Sequence, residues 1–111
     1  LNSTEIIDLN TMQSESGPAM QVARSGCAVV RIDARRVLVL GGETAEYEAL
    51  ATTELLDLEK NEFTPGPTMQ AKRYGCATTL LDDERVLVVG GYDGTECHKT
   101  TELLKADRPR S

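Results

Sequence analysis

Short apolar runs separated by polar breaks make up most of this chain, and no helical period persists for a dozen residues. Residues 26–32 and 36–40 are two such runs, joined by the polar residues 33–35. Apolar runs of this length that are rich in β-branched residues are typical of buried strands, and a short polar break between them is typical of a hairpin. The pattern therefore predicts two antiparallel strands, which end at the glycine pair Gly41-Gly42.

A second pair of strands follows a polar loop. Residues 52–58 form another apolar run, residues 59–61 are a polar turn, and a short strand starts at residue 62 and is stopped by Pro65-Gly66-Pro67. Proline cannot donate to a central ladder, so the fourth strand should lie at the edge of its sheet. The pattern predicts an antiparallel meander of four strands.

The same pattern recurs along the chain. Residues 21–42 and 70–91 are 49 positions apart and are identical at 12 of 22 positions without a gap. The third-strand sequence occurs three times, with Glu5, Glu54 and Glu102 at equivalent places. A repeat of about 50 residues is typical of one supersecondary unit stacked on copies of itself.

Counting strands on this repeat divides the chain into three parts. We expect an incomplete all-β structure of tandem four-stranded antiparallel units. Residues 1–20 supply a third and a fourth strand, 21–69 a complete unit, and 70–111 a first, second and third strand with a tail.

Three motifs of this unit resemble the kelch repeat of β-propellers. They are the glycine pair after the second strand, the Arg-x-Gly of Arg24-Ser25-Gly26 and Arg73-Tyr74-Gly75, and Glu54-Leu55-Leu56-Asp57 in the third strand. The family tyrosine of the third strand is Leu56 here, and Phe63 stands at the spacing of the family tryptophan. The resemblance implies about two blades of a kelch-type propeller, with further blades in a longer protein.

Glycines mark the places where the backbone should turn sharply or pass close to a neighbouring unit. The predicted structural glycines are Gly26, Gly41, Gly42, Gly75, Gly90 and Gly91. A phosphate-binding loop is not expected, because no Gly-Lys-Ser/Thr sequence and no helix follow either glycine pair.

Composition and charge narrow the possible partners. The chain has 111 residues, a net charge of −6, three cysteines and one histidine. Such acidity argues against nucleic acid or an anionic membrane as the main partner and leaves proteins, small molecules and basic peptides. We expect no metal and no cofactor, because Cys97-His98 is poor chelate spacing, and we interpret Cys27 and Cys76 as buried strand residues. Reduced thiols favour a cytoplasmic location, although the sequence leaves the compartment open.

Two functions are compatible with these residues. The loop at 43–51 differs from its counterpart at 92–99 while the strands repeat, which favours a protein-interaction scaffold that binds a protein or peptide through loops on one face. The alternative is a fragment of a kelch-propeller enzyme, such as an oxidase, whose catalytic residues lie outside this chain. We expect no catalysis from the residues present.

Five residues are candidates for partner binding. Tyr47, Tyr74 and Tyr92 are candidate contact aromatics. Arg24 and Arg73 match the family arginine that begins the innermost strand, and they have two interpretations. They point at the mouth of the propeller and bind acidic groups of a partner, or they are structural and tied to carboxylates or carbonyls of the same or the next blade.

Overall fold

The computed structural model describes residues 3–82 and 85–105, and in these residues the fold is all-β. The described residues form nine strands: β1 (Glu5–Asp8), β2 (Gln13–Ser16), β3 (Ala28–Arg31), β4 (Arg36–Leu40), β5 (Thr53–Asp57), β6 (Glu62–Pro65), β7 (Ala77–Leu80), β8 (Arg85–Val89) and β9 (Thr101–Lys105). They form antiparallel sheets in the orders β1-β2, β3-β4-β5-β6 and β7-β8-β9, which we name the first, middle and last blades. The predicted all-β class and the meander order are confirmed.

The innermost strands start later than the sequence pattern predicts. The strand predicted at 26–32 is observed as Ala28–Arg31, because Ser25 pairs with Glu43 of a loop and Gly26 has a positive φ of 63°. The fourth strand, β6, ends one residue later than predicted, since its last residue, Pro65, pairs with Glu54. An edge strand tolerates this proline because its outer side needs no donor.

The β-hairpin between β3 and β4 is fixed by one aspartate. Asp33 Oδ1 accepts hydrogen bonds from the backbone N–H groups of Arg35 (2.8 Å) and Arg36 (2.9 Å). In the last blade Asp82 Oδ1 accepts the N–H of Arg85 at 2.9 Å in the equivalent place. Carboxylates that cap nearby N–H groups favour turns, which explains why this polar break repeats. Asp83 and Glu84, which follow Asp82 in the sequence, lie outside the described residues.

The main core lies between the middle and the last blade. Its buried residues are Ile32, Leu38, Leu40, Met69, Val86, Val88 and Leu104. Leu38 and Leu40 project from one face of β4, and Val86 and Val88 project from the facing side of β8. The two sheets therefore stack face to face and exclude water from each other, as expected for tandem blades.

The other face of the middle blade carries a smaller cluster. Met20, Val39 and Phe63 are buried there, with Leu56 packed against them. Phe63 lies opposite Leu56 across β5 and β6. The family's aromatic pair is therefore replaced by an aliphatic and an aromatic residue that still pack together.

One apolar face of the middle blade is buried, and the equivalent face of the last blade is more exposed. The repeat places Leu87, Val89 and Leu103 at the positions of Leu38, Leu40 and Leu55. Val89 is 43% and Leu103 is 59% exposed, whereas Leu40 is fully buried. Within the described residues, no sheet covers this apolar face.

Candidate partner-binding loops and the clamp beneath them

A buried arginine holds the middle blade together where its loops begin. Arg24 Nε donates to Glu54 Oε2 at 3.0 Å. Its Nη1 donates to the carbonyl oxygens of Gly41 (3.0 Å) and Thr52 (2.8 Å), and its Nη2 donates to Thr52 Oγ1 at 3.0 Å. Glu54 also accepts the backbone N–H of Gln21 at 2.6 Å. We call this set of contacts the clamp.

The last blade contains the same clamp. Arg73 Nε donates to Glu102 Oε2 at 2.9 Å, Nη1 donates to the carbonyl oxygens of Gly90 (2.7 Å) and Thr100 (3.1 Å), and Nη2 donates to Thr100 Oγ1 at 3.0 Å. Glu102 accepts the N–H of Gln70 at 2.5 Å. Each clamp ties the segment before the first strand to the third strand and to the glycine pair of the same blade.

The contacts of the clamp bear on the two interpretations of Arg24 and Arg73. The side chains of Arg24 and Arg73 are each only 1% exposed, and carboxylates, carbonyls and a hydroxyl of their own blade engage them. This geometry favours the structural interpretation, because four of the five N–H donors of each buried guanidinium are engaged within its own blade. The sequence analysis did not identify Glu54 and Glu102 as the carboxylates involved. Their recurrence in the third-strand motif is the signal that could have found them.

The carboxyl group of Glu102 is held in its charged form. Burial alone would raise the pKa of Glu102, but hydrogen bonds from the N–H groups of Gln70 and Ala71 and from the Arg73 side chain outweigh burial and lower it. Arg73 and Glu102 therefore form an ion pair at neutral pH, and the two charges compensate each other inside the last blade.

The glycine pairs shape the chain next to the clamp. All six predicted structural glycines have positive φ, between 62° and 98°. Gly41 also approaches the next blade, because a Cβ there would overlap the carbonyl oxygen of Arg73. Gly42 N–H donates to that same oxygen at 2.9 Å. A side chain at position 41 would therefore push the two blades apart.

In each blade, the loop that follows the glycine pair folds back and pairs with a residue just before the innermost strand. In the middle blade Ser25 and Glu43 exchange backbone hydrogen bonds of 3.0 and 2.8 Å. In the last blade Tyr74 and Tyr92 do the same at 2.9 Å each. The backbone is equivalent in the two blades, while the side chains change from a polar pair to an aromatic pair.

The two tyrosines of the last blade contact each other. Their ring centroids are 5.3 Å apart and their planes meet at 89°, which is the favoured edge-to-face arrangement. Burial, followed by the nearby Glu43 carboxylate, raises the pKa of Tyr74. The phenol therefore stays neutral at physiological pH and can donate a hydrogen bond.

Tyr47 lies at the tip of the middle-blade loop. It has a positive φ of 63° and is 81% exposed. The loop is closed beneath it, since Thr44 N–H donates to the Glu48 carbonyl at 2.9 Å and Tyr47 N–H donates to the Thr44 carbonyl at 3.0 Å. The ring is therefore displayed on an internally bonded loop rather than packed against the blade.

The loop of the last blade is organised by Asp93. Asp93 Oδ1 accepts the N–H groups of Thr95 and Glu96, both at 2.8 Å, and these bonds lower the pKa of Asp93. His98 Nε2 lies 3.4 Å from Asp93 Oδ2. We define the loop face as residues 43–48 and 92–97 together with Ser25 and Tyr74.

Cys27, Cys76 and Cys97 are free thiols, and Cys97 belongs to the loop face. Cys27 and Cys76 directly precede β3 and β7 and are half-buried, so the interpretation as buried strand residues was wrong by one position. Strand pairing begins only after the positive-φ glycine and the residue that follows it. In residues 3–82 and 85–105 no group of three or more His, Cys, Asp or Glu side chains is placed to hold a metal ion. The same residues contain no helix with the length and apolarity needed to cross a membrane.

Comparison with known families agrees with this architecture. Residues 23–70, which include the clamp arginine, the glycine pair and β3 to β6, match the model of the Kelch motif. A search of curated proteins found no match. The matched motif, and the same clamp and glycine pair in the following blade, show that this chain contains kelch repeats, with one four-stranded blade between two blades of which two and three strands are described.

Proposed function

We propose that this chain is part of a protein-interaction scaffold and that its loop face binds a basic segment of a protein partner. The observation that carries the proposal is the contrast between the identical clamps and the different loops above them. A framework that keeps its backbone while its loops change is suited to recognition, because the loops can vary without loss of the fold.

The chemistry of the loop face supports a basic partner. Its sequence contains five carboxylates and no lysine or arginine. Glu46, Glu48 and Glu96 are exposed, and the exposed Tyr47 lies between the first two in sequence. Exposed carboxylates next to a tyrosine favour a segment with lysine or arginine, because a cation can pair with the acids and its stem can pack on the ring.

A peptide-display selection on the chain tests this proposal. We expect selected peptides to be enriched in lysine and arginine and to bind more weakly at 200 mM than at 50 mM salt. Tyr47→Ala should weaken a selected peptide about 5-fold or more, as expected for a central aromatic contact. The double variant Glu46→Gln/Glu48→Gln should weaken it about 3-fold or more.

A matched control separates the loop face from the overall charge of the chain. Glu15→Gln/Glu62→Gln removes the same two charges from exposed positions on the outer strands β2 and β6. It should leave peptide affinity unchanged. Selection of acidic peptides, or equal losses in the two double variants, would contradict the proposal.

A further inference from the structure

One exposed residue of the loop face has a backbone conformation that its side chain disfavours. Tyr47 has a positive φ of 63°, in a region that bulky residues rarely adopt. Its side chain is 81% exposed, so burial of the ring does not offset this cost. Strained residues cluster at functional sites, and Tyr47 is therefore a candidate for a role other than packing.

The sequence around Tyr47 is acidic on both sides. Glu43 and Glu46 precede the tyrosine and Glu48 follows it, and no lysine or arginine lies within ten positions in either direction. An enzyme with a basic substrate groove recognises such a segment by complementary charge. Protein kinases select their substrates in part by charge patterns of this kind.

The segment that carries Tyr47 is held by its own short-range hydrogen bonds. Thr44 N–H donates to the Glu48 carbonyl at 2.9 Å, and Tyr47 N–H donates to the Thr44 carbonyl at 3.0 Å. The Thr44 hydroxyl accepts the N–H groups of Glu46 (3.2 Å) and Glu48 (3.3 Å). Residues 45–48 are all exposed. Local opening of the segment therefore transfers little buried apolar surface to water, and it relieves the positive φ of the tyrosine.

The blade beneath this segment has contacts of its own that local opening leaves intact. Ala49 is buried and pairs with Glu43. Leu50 N–H donates to the Gly42 carbonyl at 2.8 Å. These contacts fix both ends of residues 44–48, so a modifying enzyme can reach the tyrosine hydroxyl while the blade stays folded.

The other two tyrosines of the chain lack these properties. Tyr74 and Tyr92 are half-buried, and their rings pack against each other. Tyr74 also directly follows the basic pair Lys72-Arg73. Tyr47 is therefore the tyrosine that combines exposure with acidic residues on both sides, and the other two serve as internal controls.

We propose that Tyr47 is a phosphorylation site for a protein tyrosine kinase that prefers acidic residues around its target. In the reaction the Tyr47 hydroxyl oxygen bonds to the γ-phosphorus of ATP. The bond between that phosphorus and the β–γ bridging oxygen breaks, ADP leaves, and the phenolic proton is released. The modified side chain has a charge of about −1.5 to −2 at neutral pH.

The phosphate changes what the loop face can bind. It adds negative charge beside Glu46 and Glu48, and its oxygens accept charge-assisted hydrogen bonds from lysine and arginine. The phosphorylated chain should therefore bind a selected basic peptide about 3- to 10-fold more tightly at 50 mM salt, with a smaller gain at 200 mM. This gain rests on the proposed function, whereas phosphorylation of Tyr47 does not.

Phosphate incorporation into the whole chain tests the site. The unchanged chain and three single variants are incubated with ATP and the catalytic domain of an acid-preferring tyrosine kinase, and mass spectrometry locates the phosphate. Tyr47→Phe should abolish incorporation. Tyr74→Phe and Tyr92→Phe should each retain it, because neither removes the modified hydroxyl.

Charge variants test how the enzyme recognises the segment. Glu46→Gln/Glu48→Gln should lower kcat/KM for phosphorylation about 3- to 10-fold, because the segment loses two charges beside the tyrosine. Glu15→Gln/Glu62→Gln, which removes two exposed charges from β2 and β6, should leave it unchanged. A synthetic peptide of residues 41–53 gives the rate for the same sequence outside the fold.

Two outcomes would overturn the site. The first is phosphate on Tyr74 or Tyr92 rather than on Tyr47. The second is a folded chain that takes up no phosphate, whether or not the peptide does. Phosphate on Tyr47 without tighter binding of a basic peptide that the unmodified chain binds would overturn its effect on the loop face. Failure to select any basic peptide would instead contradict the proposed function, and the site would then be judged by incorporation alone.

Discussion

The middle and last blades use the same clamp but differ in what covers their faces. Arg24 and Arg73 make the same four donor contacts to within a few tenths of an ångström. Leu38 and Leu40 of the middle blade are buried against the last blade, whereas their counterparts Leu87 and Val89 are half-buried and exposed. The comparison shows that contacts inside a blade depend on its own sequence, while burial depends on the neighbour.

Loss of either clamp arginine should have the largest effect. Arg24→Met and Arg73→Met should each lower the free energy of unfolding by about 3–5 kcal/mol, because a buried glutamate loses its charged partner. Urea unfolding followed by circular dichroism measures the change. Arg35→Met removes an exposed arginine that pairs with Glu59 and should cost less than about 1 kcal/mol. A large difference between the two clamp variants would show that the blades do not fold as equivalents.

Equivalent leucines should differ in their contribution to stability. Leu38→Ala should cost about 2–5 kcal/mol, because it leaves a cavity between the middle and last blades. Leu87→Ala, at the same position of the last blade, should cost about 1 kcal/mol, because its side chain is only half-buried. The same unfolding measurement checks both. Equal losses would mean that the exposed face of the last blade is covered in solution.

The glycine pairs give a third comparison. Gly41→Ala and Gly90→Ala both place a side chain at positive φ, 62° and 67°, which costs about 1–2 kcal/mol. At position 41 the new Cβ also overlaps the Arg73 carbonyl oxygen of the next blade, whereas at position 90 the nearest atom is 3.5 Å away. Gly41→Ala should therefore cost about 1–3 kcal/mol more. Equal midpoints of thermal unfolding would contradict the close approach of the blades.

The pH dependence of stability should show the smallest effect. The pKa of Glu102 is lower in the folded chain than the value of about 4.3 for an unfolded glutamate. Its contribution to stability is therefore complete above that value and is lost as the pH falls through the folded pKa, since the unfolded chain then binds more protons. Below pH 6, the free energy of unfolding should increase less steeply with pH in Glu102→Gln than in the unchanged chain. An unchanged slope would argue against an ionised Glu102.

Several features followed from residue patterns without any tertiary information. The apolar runs and glycine pairs predicted the strands to within one or two residues, because strand length and turn chemistry are local properties. The recurrence of Arg24-Ser25-Gly26 as Arg73-Tyr74-Gly75 predicted tandem blades. Local rules failed at Cys27, because the pairing of Ser25 with the Glu43 loop delays the start of β3.

The candidate site was less predictable. Tyr47, Tyr74 and Tyr92 were identified as candidates, yet only the structure shows that two of them pack together and that the third projects alone. The two interpretations of Arg24 could not be separated by sequence, since both need the same residue type. The direction of a side chain is decided by partners about 30 residues away, such as Glu54.

The amino-acid sequence by itself determined the all-β class, the repeat of about 50 residues and the places where the backbone turns. Each depends on residue types within a few positions of one another. Tertiary structure alone decided which arginine atoms meet which oxygens and which face of each blade is buried. These features depend on the distances between segments far apart in sequence. Among the described residues, the last blade covers one apolar face of the middle blade, and no sheet covers the equivalent face of the last blade.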